Sequence, residues 1–337
     1  MNSRKIKVNF FQRKPRKGFS FSLEFIFDDV RKRLADRIDE KVYLSSCFND
    51  GYFSKFINII EAAFRQGKDV NHITGETHFL NLAMAKKRVV LTIADCGMIN
   101  RKSGLAKTIV QWLYLTAPVK KAKFITTISE ITKYDIVKYT GINPDRIVVI
   151  PPQLNSIYQP APKAFNKSKP VILHIGTGYN KNLERLAEAL KGINCHLSIV
   201  GELSAEQTKL LNEAGIAYSN EYNVTPNRLL QKYLESDILA FVSVFEGFGM
   251  PIIEANAVER VVITANVSAM PETAANAALM IDPFSVSDIR SGIIKLIEND
   301  ELRETLINNG RINKLRFDAD TVAAAYFDVY QKISNII

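Results

Sequence analysis

The stretch Asp237 to Ala257, DILAFVSVFEGFGMPIIEANA, decides the reading of this chain. Ile238 to Phe245 is a short apolar run of the kind that forms a strand buried on both faces. Gly247 and Gly249 let the backbone turn tightly and approach a ligand closely. Pro251 falls where a helix would begin, because proline is favoured at the first helical position. Strand, glycine turn and helix start leave free N–H groups around Phe248, Gly249 and Met250, and these favour an anion. Glu246 closes the strand and Glu254 is expected in the first helical turn. Amides that hold phosphate, with a carboxylate on each side to accept from hydroxyls, fit a nucleotide sugar.

Working outward, the same pattern recurs at the start of the second half. Val171 to Ile175 reads as a strand, and Gly176-Thr177-Gly178-Tyr179-Asn180-Lys181-Asn182-Leu183 as a glycine loop running into a helix. Two glycines and Lys181 at a helix start make a second anion site. Further strands are expected at His196–Gly201, Tyr218–Val224 and Val261–Thr264, alternating with helices. The first half alternates likewise. Strands are read at 5–11, 41–46, 69–73, 88–95, 124–128 and 146–150, with helices at 20–33, 53–65 and 104–121 between them. This alternation predicts an α/β protein of two doubly wound parallel-sheet domains, residues 1–160 and 161–319, with a final helix at 320–337. The polar, proline-rich piece Asn155 to Pro170 reads as the linker between them. Ligands in such sheets bind beyond the carboxyl ends of the strands, so the cleft between domains is the expected site.

The length of 337 residues suits two domains, and 47% hydrophobic with 23% charged residues describes an ordinary globular chain. Charge is unevenly spread. Residues 1–160 hold 27 Lys/Arg against 14 Asp/Glu, and residues 161–337 hold 17 against 21. A basic front half implies an anionic partner: nucleic acid, acidic lipid or a phosphorylated substrate. Nothing resembles a nucleic-acid recognition module, so no nucleic-acid partner is expected. The lysines Lys120, Lys121 and Lys123 after the helix 104–121 suit either the helix C-terminus or a membrane surface. Cys47, Cys96 and Cys195 are scattered and form neither a disulfide framework nor a metal motif, so a reducing cytoplasm is the expected setting. No signal core or membrane-spanning run is read. Asp318-Ala319-Asp320 sits where a helix would be capped, so it is read as a cap and no metal is expected. The basic loop Gln12 to Gly18 suits a diphosphate or a lipid headgroup. His72 and His78 are candidates for the cleft.

The segment EGFGMPIIE resembles the E-x7-E element of retaining glycosyltransferases of the GT-B fold, family 4. Val261 to Thr264 resembles the next strand of that family, Met270-Pro271-Glu272 the loop after it, and Ala277 to Pro283 the strand and turn beyond. The earlier G-T-G…K-N-L and T-I-S-E…I-V-V-I-P-P pieces also match. The resemblance implies that Glu246 holds the transferred sugar, Glu254 the ribose and Lys181 the donor phosphate. Gly176, Thr177, Asn182, Gly247, Phe248, Gly249 and Met250 would complete the donor site, with Asn223 and Val224 near the base. Thr177 stands where the family usually has an arginine. On the acceptor side it implies Arg16, Lys17 and Gly18, with His72 added from its place in the chain. Where the family's strand commonly ends in His-Asp, this chain has Ala94 and Asp95. That departure keeps open a nucleotide-sugar-binding protein with impaired catalysis, and a GT-B epimerase is another alternative. The implied partners are a nucleotide-diphosphate sugar as donor substrate, with no cofactor, and a glycan or lipid-diphosphate-linked acceptor. The implied setting is cytoplasmic, with peripheral contact to the inner face of an anionic membrane and a part in surface polysaccharide synthesis.

Overall fold

The computed structural model describes residues 4–15, 22–100 and 103–335. The chain divides into two compact units. One holds residues up to Gln153 together with Ala319 onward, and the other holds Leu154–Asp318.

The first unit is built on six parallel strands: β1 (Ile6–Gln12), β2 (Ile38–Leu44), β3 (Val70–Ile73), β4 (Val89–Ile93), β5 (Phe124–Thr127) and β6 (Ile147–Val149), in the order β2-β1-β3-β4-β5-β6. β4 is buried along its whole length, as its continuous run VVLTI requires. β2 begins three residues earlier than the sequence suggests and ends at Leu44. Its Asp39, Glu40 and Lys41 are exposed on the sheet edge, where charge is tolerated and guards against edge pairing.

The helix Ala319–Ser334 belongs to this unit. It buries Val322, Tyr326, Tyr330 and Ile333 in a cluster with Phe10, Phe27 and Val30. Asp320 meets Arg33 at 2.6 Å, so the Asp-x-Asp pattern supplies an ion pair at a helix start.

His72 lies inside this core and not on an acceptor surface. Its Nδ1 is 2.8 Å from the Tyr330 hydroxyl and its Nε2 is 2.7 Å from Thr92 Oγ1. Burial pushes its pKa down to about 3. The reason is its position on β3, a central strand flanked by β1 and β4, where every residue is buried.

His78 is also structural. The expected helix 104–121 is interrupted by a π-helical segment, Trp112–Thr116, ahead of Ala117–Lys121. Pro118 has no N–H to give the carbonyl of Tyr114 one turn earlier. His78 Nδ1 donates to that carbonyl at 2.8 Å.

The second unit has β7 (Val171–Ile175), β8 (His196–Val200), β9 (Tyr218–Glu221), β10 (Ile238–Phe241), β11 (Val261–Ala265) and β12 (Leu279–Ile281), all parallel, in the order β12-β11-β10-β7-β8-β9. The stretch read as a linker contains neither helix nor strand, yet it is fastened to this unit. Lys163 pairs with buried Asp237 at 2.7 Å, and Arg260 donates to the Ala161 carbonyl at 2.7 Å.

The chain order creates the crevice. From β7 the chain runs outward to β8 and β9, then returns to β10 on the other side of β7. The loops leaving β7 and β10 therefore part in opposite directions at the carboxyl edge, which is where doubly wound sheets bind ligands. The first unit repeats the device between β1 and β3. Among the described residues no helix is long and apolar enough to cross a membrane.

Candidate active site

At the switch point of the second sheet, the two loops are stitched together by the residues between them. β10 ends at Phe241, four residues before the apolar run ends, because the chain beyond it bonds to the other loop and not to a strand. Val244 N–H donates to the Asn180 carbonyl at 2.8 Å, and Asn180 Nδ2 donates to the Phe245 carbonyl at 2.9 Å. Asn182 Nδ2 donates to Val242 O at 3.0 Å and to Pro283 O at 2.7 Å. Asn182 is buried in the left-handed conformation (φ 65°), and its Oδ1 accepts from Arg185. Its side chain is thus a strut of the loop, not a ligand contact as the resemblance implied.

Lys181 reaches across the gap, and its Nζ lies 2.6 Å from Glu246 Oε1. The ammonium also sits 5.1 Å from the Phe241 ring. Gly176 makes room for this: φ is 89°, and a Cβ there would lie 2.7 Å from the Lys181 side chain. Thr177 faces away from the gap, with its Oγ1 bonded to the Glu202 carbonyl.

Glu246 is held from below by Ser268, whose Oγ accepts from Glu246 N–H at 3.2 Å and donates to its carbonyl at 2.7 Å. Gly249 (φ 108°) turns the chain into the helix Met250–Ala257, which has Pro251 in its first turn. A Cβ on Gly249 would meet Ile252 at 3.1 Å. Phe248 contributes only backbone here, because its ring is buried edge-on against Phe317 at 5.4 Å. Gly247 and Met250 complete the turn, and both are half-buried. The helix Leu183–Leu190 starts at the other lip. Two helix starts and one lysine therefore converge where the loops part.

Glu254 falls in the second turn of its helix, not the first, because the helix begins at Met250. It is half-buried, and the hydroxyl of fully buried Tyr233 donates to its Oε2 at 2.6 Å. Tyr158 also hydrogen-bonds the carboxyl group, and the two phenol rings pack edge to face at 5.6 Å. Burial raises the Glu254 pKa to about 7, against the pull of the two hydroxyls. Sequence reasoning missed both tyrosines. They lie far from Glu254 in the chain and carry no local motif. Asn180, inside the glycine loop, was legible in principle as a second polar residue of that motif.

Asn223 (φ 53°) is exposed and Val224 half-buried in the loop after β9, two strands from β7 at the same carboxyl edge. In the first unit Ala94 is half-buried at the end of β4. Asp95 is exposed and accepts from Gly97 N–H at 2.7 Å, capping a short helix. Arg16, Lys17 and Gly18 lie outside the described residues. Nearby Arg13 pairs with Glu24 at 2.8 Å and Glu76 at 3.3 Å, beside a pocket of about 190 Å³ that Lys14, Phe48 and Tyr114 also line. Among the described residues no cluster of three or more His, Cys, Asp or Glu could hold a metal ion.

Residues 158–313, the part of the chain that carries these loops, match the family model of glycosyl transferases group 1. The chain is 25% identical over 272 residues to O-antigen chain mannosyltransferase B of Escherichia coli, covering 73% of this chain and 70% of that one. It is 35% identical over 132 residues to the capsular polysaccharide biosynthesis glycosyltransferase CapM of Staphylococcus aureus, covering 36% of this chain and 33% of that protein. Among solved structures, Anabaena Alr3699/HepE, crystallised with UDP and glucose, superposes with a TM-score of 0.80 at 15% identity, over 97% of this chain and all of that one. Two parallel six-stranded units give the chain the GT-B fold, and its second unit carries the segment, residues 158–313, that matches the glycosyl transferases group 1 model.

Proposed function

We propose that this glycosyltransferase moves a sugar from a nucleotide-diphosphate sugar, with retention of anomeric configuration, to a glycan or lipid-diphosphate-linked acceptor during assembly of a bacterial surface polysaccharide. The observation that carries the reading is Lys181 beside Glu246 between two helix starts at the switch point of the sheet. Breaking the bond from the anomeric carbon to the diphosphate leaves negative charge on the diphosphate and oxocarbenium character on the sugar. Lys181 and the helix N-termini at Leu183 and Met250 stabilise the first without a metal. Glu246, released from Lys181 by the incoming phosphate, accepts hydrogen bonds from the sugar hydroxyls. Glu254, oriented by Tyr158 and Tyr233, accepts from the ribose. The leaving phosphate takes the acceptor's proton on the same face, which retains configuration.

The relatives support the product class. One is named for O-antigen chains and one for capsular polysaccharide, and a neighbour of the same fold was solved with UDP and glucose. A lipid-linked acceptor goes with a cytoplasmic enzyme resting on an anionic membrane. The test is a thermal-shift screen of UDP-, GDP-, ADP- and dTDP-sugars, followed by nucleotide release with the sugar that stabilises. One sugar class should raise the melting temperature of the wild type and not of Lys181→Ala. A shift equal in both proteins would refute the site.

Ala94 favours a second reading, donor binding with weak turnover. It predicts a clear thermal shift with little nucleotide release, and recovery of release in Ala94→His.

A further inference from the structure

We infer that the pocket lined by Arg13, Glu76 and Tyr114 in the first unit binds an uncharged sugar ring, and that it reads hydroxyls and not a diphosphate. The inference rests on the glycosyl-transfer reading for its purpose, and it narrows the acceptor class left open there.

Charge decides against a phosphate. By composition the loop Gln12 to Gly18 suits a diphosphate. Among the described residues, however, the pocket of about 190 Å³ sets Arg13 and Lys14 against Asp50 and Glu76. Both cations are already engaged. Arg13 Nε lies 2.8 Å from Glu24 and its Nη1 3.3 Å from Glu76, while Lys14 Nζ donates to the Ser46 carbonyl at 3.0 Å. A diphosphate offers acceptors alone, so it would meet two carboxylates with no surplus of positive charge to hold it. A sugar hydroxyl both donates and accepts, and so it suits carboxylates and cations set side by side.

The apolar walls fit the carbon face of a sugar ring. Phe48, Met98 and Tyr114 line the same pocket. Tyr114 is brought there by the π-helical segment Trp112–Thr116, an irregularity often found at functional sites. Its carbonyl is held by His78, and its ring packs edge-on against fully buried Phe79 at 5.5 Å. The platform is thus fixed before a ligand arrives, which lowers the entropic cost of binding. Apolar walls with a few placed polar groups are the ordinary make-up of a small-molecule site.

The roots of these loops also hold polar atoms that the fold leaves unsatisfied. Gln12 Nε2, Thr74 Oγ1, Thr77 Oγ1 and Glu24 Oε2 are buried without a hydrogen-bond partner. They lie together at the carboxyl ends of β1 and β3, where Thr74 N–H bonds to the Phe11 carbonyl and Glu24 to Arg13. Buried polar groups are rarely left unpaired without a reason. This set mixes an amide donor, two hydroxyls and a carboxylate acceptor, the complement of a polyol and not of an anion. Gly75 keeps space open beside them. A Cβ there would lie 3.8 Å from Arg13 N and 3.9 Å from Thr77 Oγ1, so the glycine leaves a methyl-sized gap next to that hydroxyl.

The experiment is saturation-transfer NMR on the full chain without donor. The probes are the methyl α-glycosides of glucose, galactose and mannose, with inorganic pyrophosphate as competitor. At least one glycoside should bind the wild type, and pyrophosphate should not displace it. Glu76→Gln should weaken that binding about tenfold, and Tyr114→Ala should abolish it. The Glu76 side chain is 64% exposed, so Glu76→Gln should keep the wild-type melting temperature, which separates a lost contact from a lost fold. Silence from all three glycosides, binding unchanged in either variant, or displacement by pyrophosphate would overturn the inference. The functional reading fails separately: glycoside binding by a chain that no nucleotide sugar stabilises would sustain the pocket and refute the donor site.

Discussion

Replacing Tyr233 by Phe probes the pocket around Glu254 with one atom. The Tyr233 hydroxyl is 2.6 Å from Glu254 Oε2, and the ring is fully buried edge-on against Tyr158. Phenylalanine keeps that packing and removes only the donor. Glu254 must be ionised to accept from donor hydroxyls, and its pKa is about 7. Its ionised fraction therefore rises from roughly a tenth to nine tenths between pH 6 and pH 8, and donor affinity should rise about tenfold over that span. A hydrogen bond to a charged acceptor contributes ~1.5–3 kcal/mol. Because ~1.4 kcal/mol corresponds to one pH unit, Tyr233→Phe should move the midpoint of the affinity profile upward by ~1–2 pH units. At pH 7.5 the donor KM should rise by about tenfold while kcat at saturating donor stays close to the wild type. The assay is isothermal titration of donor across pH 6–9, with steady-state kinetics at pH 7.5. A wild-type affinity flat from pH 6 to 8, or an unshifted midpoint in Tyr233→Phe, would refute the reasoning.

Acid should unfold the chain early. His72 and His174 have folded pKa values of about 3 and about 4, below the ordinary 6.5, so their share of stability is complete above pH 6.5 and drains as pH falls towards 4. His72 alone accounts for ~3 kcal/mol at pH 4, to be read from urea midpoints, and His72→Gln should flatten that slope. Gly292→Ala would place a Cβ 2.7 Å from Ile263 and 2.9 Å from Ile281, so it should cost ~1–3 kcal/mol and lower the melting temperature by several degrees. Arg260 is buried with its guanidinium donating to the carbonyls of Tyr233, Leu234, Val258 and Ala161; Arg260→Lys cannot reproduce that fan, and a loss of ~2–4 kcal/mol is expected in chemical denaturation.

The parallel-sheet architecture was readable because each buried strand is a short apolar run bounded by turn residues, as in Val89–Ile93 and Val261–Ala265. What periodicity could not show was where a run leaves the sheet. Val242 to Phe245 are as apolar as a strand, yet their backbone groups bond to Asn180 and Asn182 across the crevice. β2 was misplaced for the opposite reason, since an edge strand tolerates Asp39-Glu40-Lys41. The glycines and Lys181 announced the phosphate loop by local chemistry. The surroundings of Glu254 did not, because Tyr158 and Tyr233 reach it only through the fold. His72 misled because a histidine before a glycine loop looks the same in sequence whether it faces a ligand or, as here, Tyr330 and Thr92.

The most direct measurement is a co-crystal structure with the nucleotide sugar that gives the largest thermal shift. The account predicts the diphosphate within hydrogen-bond distance of Lys181 Nζ and of the amides at Gly249 and Met250, with the Lys181–Glu246 contact broken. A diphosphate bound away from both loops, or one that leaves Lys181 still paired with Glu246, would contradict it.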